Sequence, residues 1–178
     1  MQKLSMRNRN IANWILTQAL WFICVLGGDL YAAVAGICYW FIYVTYIGNL
    51  QREWPSIIII VSSGFIIDTL LSSFGLIQFN TNMLIPLWLL VMWSGFATLF
   101  HHGLGWLLAK PVLAAVLGAI TGPLAYFAGA TLSMSQINVP LTVFISVYAV
   151  LWSLYIPIFL FISSKLNRSE SLSALMRL

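Results

Sequence analysis

Every lysine and arginine of this chain falls on one side of an alternating pattern of apolar segments. Lys3, Arg7 and Arg9 precede the first segment, Arg52 separates the second from the third, Lys110 separates the fourth from the fifth, and Lys165, Arg168 and Arg177 follow the sixth. The other three connections carry no base. Short loops rich in Lys and Arg stay on the cytoplasmic side of a membrane, so the pattern predicts six crossings with both termini inside. The chain is 61% hydrophobic and only 7% charged, whereas a soluble domain is about a quarter charged. Six spans of about 20 residues each use most of the 178 residues. The expected fold is therefore all-α: a polytopic protein of the inner membrane with six transmembrane helices. Residues 1–165 form the transmembrane domain and residues 166–178 a cytoplasmic tail. In that tail Leu172, Leu175 and Met176 stand at helical spacing, as in a short surface-lying helix, with a frayed end as the equal alternative.

Gly27-Gly28-Asp29 breaks the first apolar stretch into segments of roughly 11–26 and 30–48, because two glycines permit a tight turn. One long helix would put Arg9 and Arg52 on opposite sides of the membrane. The basic start and following apolar run lack a small-x-small cleavage site, so the first segment reads as an uncleaved helix. Pro55, Pro111 and Pro140 are placed to open the third, fifth and sixth segments, where a missing N–H costs nothing. The third segment is expected to run to Ile77, followed by an uncharged outer loop from Gln78 to Asn82. The fourth is expected from Met83 to His101 or beyond. Pro86, Pro123 and Pro157 fall inside segments and are expected to bend them. Cys24 and Cys38 both lie in apolar runs and read as small buried hydrophobes.

Among intramembrane polar residues Asp68 stands out as the one acid well inside a span. A carboxylate at mid-bilayer costs roughly 2.5–3.5 kcal/mol on insertion scales. Gly64, Asp68 and Ser72 share a face at i, i+4 spacing, which lets another helix approach and turns Asp68 inward. Either it binds a ligand or carries a proton, or it is a structural acid bonded to a neighbouring Tyr, Trp or freed backbone group. Asp68 lies about 13 residues, or some 20 Å, from the inner end of its segment. Tyr126 sits at nearly that depth on segment five, and Trp88 and Trp93 bracket it on segment four. Depth alone thus points to a ligand-binding pocket of Asp68, Trp88, Trp93 and Tyr126. Segment five carries Gly118 and Gly122 as a GxxxG pair, with Ala114 before it and Ala125 and Gly129 after. Such a stripe suits close helix packing, and also the lining of a cavity.

His101 and His102 end segment four. Adjacent side chains point about 100° apart on a helix, so they clasp no single metal and supply no pair of haem ligands. They read as interfacial hydrogen-bonding histidines or, with Thr98 and with Asn13 and Gln18 within reach, as a proton-exchanging site. No cofactor or metal is implied. Trp14, Trp54 and Trp106 suit aromatic belts. The net charge of +4 is scattered over membrane borders, with no patch to neutralise nucleic-acid phosphates.

The run Pro86-Leu87-Trp88-Leu89, Trp93, Phe96-Ala97-Thr98-Leu99, His101 and Trp106-Leu107, followed by Gly118, Gly122-Pro123-Leu124-Ala125-Tyr126 and Gly129, resembles a bacterial inner-membrane family, domain of unknown function 2878. Asn13, Trp21 and Cys24-Val25-Leu26 fit as well. The resemblance implies an inner-membrane location and a connection to membrane lipids, and it assigns no residue a role. Gly64-x-x-x-Asp68 with Gly75 is also similar to a pattern in the substrate-capturing subunits of energy-coupling-factor transporters and in the rod-shape membrane subunit. The small-residue docking motif of those transporter subunits is absent from segment one. The leading expectation is a non-enzymatic subunit that binds a lipid or small apolar molecule, in a transport system or alone. The alternatives are a lipid-modifying enzyme or its accessory factor, and a structural partner of another membrane protein.

Overall fold

The computed structural model describes residues 4–81, 83, 85–132 and 135–175, with side chains to residue 167. Five α-helices dominate: α1 (Met6–Ile42), α2 (Leu50–Ser73), α3 (Leu87–Leu99), α4 (Pro111–Thr131) and α5 (Leu141–Leu175). α1 continues through a π-turn, Tyr43–Ile47, and a 3₁₀ turn, Gly105–Ala109, precedes α4. Lys3, Arg177 and the side chains of Arg168 and of the tail positions Leu172, Leu175 and Met176 lie outside the described residues.

Four helical stretches are long and apolar enough to cross a membrane, and at most 33% of each apolar window is buried in the protein. Apolar surface turned outward is what lipid requires. The first stretch, Met6–Ile47, holds 42 residues, about 63 Å if straight. It is not straight. Gly28 takes φ 67°, ψ −161°, a backbone region open almost only to glycine. Beyond it the chain folds back: Leu4 N–H donates to Tyr46 C=O at 3.2 Å, and Asn13 Nδ2 to the Tyr39 hydroxyl at 3.1 Å. Residues 6–27 and 29–47 are thus antiparallel arms.

A buried polar network ties these arms to α3. Asn13 Nδ2 donates to Thr98 Oγ1 at 2.7 Å, and the Tyr39 hydroxyl lies 2.6 Å from Thr98 Oγ1 and 3.0 Å from Thr17 Oγ1. Asp29, at the hairpin tip, accepts the Trp88 N–H at 2.9 Å. That carboxylate satisfies an orphan donor in the first turn of α3 and sits at the positive end of its dipole.

Several boundaries depart from expectation. α2 begins at Leu50, so Pro55 lies inside it rather than opening it. Glu53 reaches back to the Asn49 N–H at 3.0 Å, which starts the helix early. α2 ends at Ser73, not Ile77: Leu76 N–H bonds Leu71 C=O, Gly75 N–H bonds Ser72 C=O, and Gly75 has φ 72°. This is a Schellman stop. Pro86 caps α3 from outside and bends nothing, and α3 is 13 residues long, about 20 Å, against the 83–101 expected. The loop from Gln78 is not irregular throughout, since β1 (Ile77–Phe79) pairs antiparallel with β2 (Ser135–Ile137) in the register Ile77↔Ile137. Cys24 is buried as expected, but Cys38 is exposed, because an apolar residue on the lipid-facing side of a helix needs no protein cover. Pro111 stands at the first turn of α4, Pro140 precedes α5, and Pro123 and Pro157 lie within helices.

The bases with described side chains gather at one end. Arg9 NH1 bonds Ile47 C=O, Arg52 NH2 reaches Asn167 C=O, and Lys110 precedes α4 beside the Gly105–Ala109 turn, which packs on α5. Arg7 is in the first turn of α1 and Lys165 is next to Asn167. The opposite end holds Gly28, Asp29 and the two strands.

α4 packs along α5 through its small stripe. A Cβ on Gly118 would stand 2.3 Å from the Trp152 carbonyl oxygen, a backbone atom with no room to yield. Gly118→Val is therefore expected to lower stability in detergent by about 1–3 kcal/mol through overpacking, read as a lowered unfolding midpoint.

Candidate functional site: a lateral groove with an aromatic floor

Helix α1 packs on α3 and α4 packs on α5, but α1 and α4 barely meet. Between them runs an open groove of about 880 Å³. Its α1 wall carries Asn10, Trp14, Gln18, Trp21 and Val25. These positions recur at three- and four-residue steps, so one helix face supplies the wall. Asn10 to Val25 covers about 22 Å along the helix. The other wall is Gly118 to Gly129 of α4, and the floor is Trp93 and Phe96 of α3 with Trp152 of α5. Among the described residues no Asp, Glu, His, Cys, Lys or Arg is in the lining.

The floor is a rigid stack. Trp93 and Trp152 lie face to face, 5.8 Å between centroids and 9° apart in plane. Gly64 makes this arrangement fit, since a Cβ there would be 2.3 Å from the Trp93 ring. Behind the stack, Asp68 is fully buried. Its Oδ2 accepts from Trp93 Nε1 and its Oδ1 from the Tyr126 hydroxyl, both at 2.6 Å. One carboxylate thereby fixes two groove residues from two different helices. Asp68 itself is not in the lining.

Of the four residues expected together by depth, Asp68, Trp93 and Tyr126 meet. Trp88 does not join them: it lines the groove near Phe79, 6.2 Å between ring centroids. Nor do His101, His102 and Thr98 form one site. Thr98 belongs to the Asn13–Tyr39 network described above, with its own bond to Gly95 C=O. Gln18 is in the groove wall. The histidines instead face α2 and α5. His102 Nε2 lies 3.3 Å from Glu53 Oε1, close enough for an ion pair but out of line for a hydrogen bond. Glu53 Oε2 accepts from the Tyr43 hydroxyl at 2.6 Å. His101 Nε2 is 2.7 Å from Ser56 Oγ, and its Nδ1 is 2.9 Å from Asn167 Nδ2.

The Ser56 hydroxyl also donates to Glu53 C=O at 3.0 Å. All bonds are satisfied if His101 carries its proton on Nε2 and accepts at Nδ1. A second proton would confront the Asn167 amide donor. Burial pushes His101 down to about 4, opposed by the Glu53 charge and reinforced by His102.

In the sequence Glu53 follows Arg52 and resembles an ordinary interfacial acid, so nothing there marks its role. The Asn10–Trp14–Gln18–Trp21 stripe is a sequence signal of the groove, whereas Trp152 stands in a long apolar run that does not single it out.

Four long apolar helices and a laterally open groove define a multi-pass helical membrane protein. The chain belongs to the family described as "Protein of unknown function (DUF2878)", whose model matches residues 10–158. No curated protein and no solved structure matches it.

Proposed function

We propose that this chain is a non-enzymatic lipid-binding protein of a bacterial inner membrane, with six traversals and both termini cytoplasmic. Residues 6–27 and 29–47 supply two of the traversals, and α3, with the loop before it, completes the short one. The gathering of Arg7, Arg9, Arg52, Lys110 and Lys165 at one end supports a cytoplasmic face there. The observation that carries the binding reading is the groove: about 880 Å³, apolar, and floored by Trp93 and Trp152. Its volume is in the range of small-molecule sites, and its length and lateral opening suit an acyl chain entering from the bilayer. A lining without acid, base or thiol favours holding over acid–base chemistry. Asp68 then acts from behind, holding Trp93 and Tyr126 against the chain. Such a protein suits the lipid-holding subunit of a larger assembly, a transport system among them.

Trp93 and Trp152 provide the readout. In vesicles containing lipids brominated on the acyl chain, tryptophan emission is expected to fall well below the level that bulk lipid contact produces. A Cβ on Gly129 meets open space and Ala125 lines the groove, so Gly129→Leu with Ala125→Leu is expected to fill it. The filled variant is expected to lose that extra quenching. Equal quenching of the folded, filled variant would refute the groove as the lipid site.

A further inference from the structure

The groove's two ends differ, and the difference points to which lipid it takes. On a wheel of 100° per residue, Trp14, Gln18 and Val25 of the groove wall all fall within about 20° of Arg7. Arg7 therefore continues the groove face one turn below Asn10, at the basic end of the molecule, and its side chain is exposed. Arg9, about 160° round the helix from Arg7, is turned instead to the second arm, where it bonds Ile47 C=O. On the facing side of the same mouth, Trp106 lines the groove and Lys110 Nζ lies 5.6 Å from the centroid of its ring. Lys110 is exposed as well. At this mouth the lining also holds Asn10, an amide donor, and Trp106.

Among the described side chains the acids are elsewhere. Asp29 is at the opposite end on the α3 terminus. Asp68 is sealed behind the floor, and Glu53 is engaged by Tyr43 and Asn49 and is not in the groove lining. The far end of the groove, at Phe79, Trp88, Gly129 and Ser135, has no cation in its lining. An apolar trough with positive charge at one mouth and none at the other matches an amphiphile with a single anionic end.

We infer that the groove selects an anionic glycerophospholipid of the leaflet at the basic end, its phosphate held between Arg7 and Lys110 and one acyl chain laid along α1 and α4. This rests on the groove being the lipid site. Arg presents a planar fork of donors that matches phosphate oxygens. Lys110, braced over the Trp106 ring, supplies a point charge. Both side chains are exposed, so a phosphate held there keeps part of its hydration while the chain is desolvated.

The test is a competition. Delipidated protein in a neutral detergent is titrated with an equimolar mixture of phosphatidylglycerol and phosphatidylcholine of identical chains, and bound lipid is counted by native mass spectrometry. Near a membrane surface each base adds on the order of a few-fold to the affinity for anionic lipid, so the wild type is expected to prefer phosphatidylglycerol by roughly tenfold. Arg7→Gln with Lys110→Gln should bring the ratio close to one while phosphatidylcholine binding persists. Both positions are exposed, so the variant is expected to keep its unfolding midpoint. Equal binding of the two lipids by the wild type, or a preference that survives the double substitution, would overturn the headgroup assignment while leaving the groove intact. No adduct of either lipid, or adducts unaffected by filling the groove at Gly129 and Ala125, would overturn the groove reading and this inference with it.

Discussion

Asp68→Leu is expected to destabilise the protein by about 2–6 kcal/mol, and Asp68→Asn by far less. The wild-type carboxylate accepts two short bonds, from Trp93 Nε1 and the Tyr126 hydroxyl, in a site closed to solvent. Leucine leaves both donors buried without an acceptor, at about 1–3 kcal/mol each. Asparagine keeps one acceptor for Trp93, and its amide can donate to Tyr126, since a phenol oxygen also accepts. Thermal unfolding in detergent separates the two variants. If asparagine proved as damaging as leucine, the negative charge would matter and not merely the acceptors. Lipid retention gives the second readout. Asp68 is outside the groove lining, so the asparagine variant is expected to hold lipid within about twofold of wild type. Asp68→Leu frees Trp93 and Tyr126 and is expected to loosen lipid even where the protein stays folded.

Asp68, Trp93 and Tyr126 meet at one depth for a physical reason. Helices of known direction convert residue number into height, so Asp68 and Tyr126 were level before any contact was known. Height estimates slip where a helix starts late: Trp88 stands in the first turn of α3 beside Asp29, about 7.5 Å along the axis from Trp93, at the far end of the groove. Glycine carried more than its spacing suggested. Gly28 was legible as a turn, but Gly75 was legible only as a small residue, whereas its positive φ ends α2 and frees the chain to pair as β1. Pro86 was misread because a proline in an apolar run has two meanings, kink or start. The Asp29 carboxylate on the Trp88 N–H decides between them, and 59 residues separate that pair in the chain. The groove was hidden for a related reason. It exists because α1 and α4 do not pack, and the lack of a contact leaves no signature in either helix beyond a stripe of mixed polar and aromatic residues.

At the basic end the protein is expected to be acid-sensitive. His101 has an ordinary value of 6.5, held down to about 4 in the folded protein. Between those values the unfolded chain binds a proton that the folded one refuses, so unfolding is favoured as protons become available. Stability is therefore expected to be at full strength above pH 6.5, to fall as the pH drops from 6.5 towards 4, and to level off below that as far as His101 is concerned. Unfolding midpoints measured across this range test it, and His101→Gln, which can still bond Ser56 and Asn167 but does not titrate, should flatten the slope. A slope unchanged by that substitution would place the sensitivity elsewhere. Glu53 holds the neighbouring half of this cluster. Replacing it by leucine removes the acceptor of the Tyr43 hydroxyl and of the Asn49 N–H that starts α2, and the partner of His102. Two donors, the Tyr43 hydroxyl and the Asn49 N–H, lose their acceptor at about 1–3 kcal/mol each, so Glu53→Leu is expected to rank with Asp68→Leu among the most damaging single changes. The two lesions differ in where they act. Loss of Glu53 loosens the junction of the second α1 arm, α2 and the His101–His102 turn while leaving the Trp93–Trp152 floor in place. A Glu53→Leu protein rescued by low temperature should still bind lipid, and its failure to do so would tie the inner cluster to the groove.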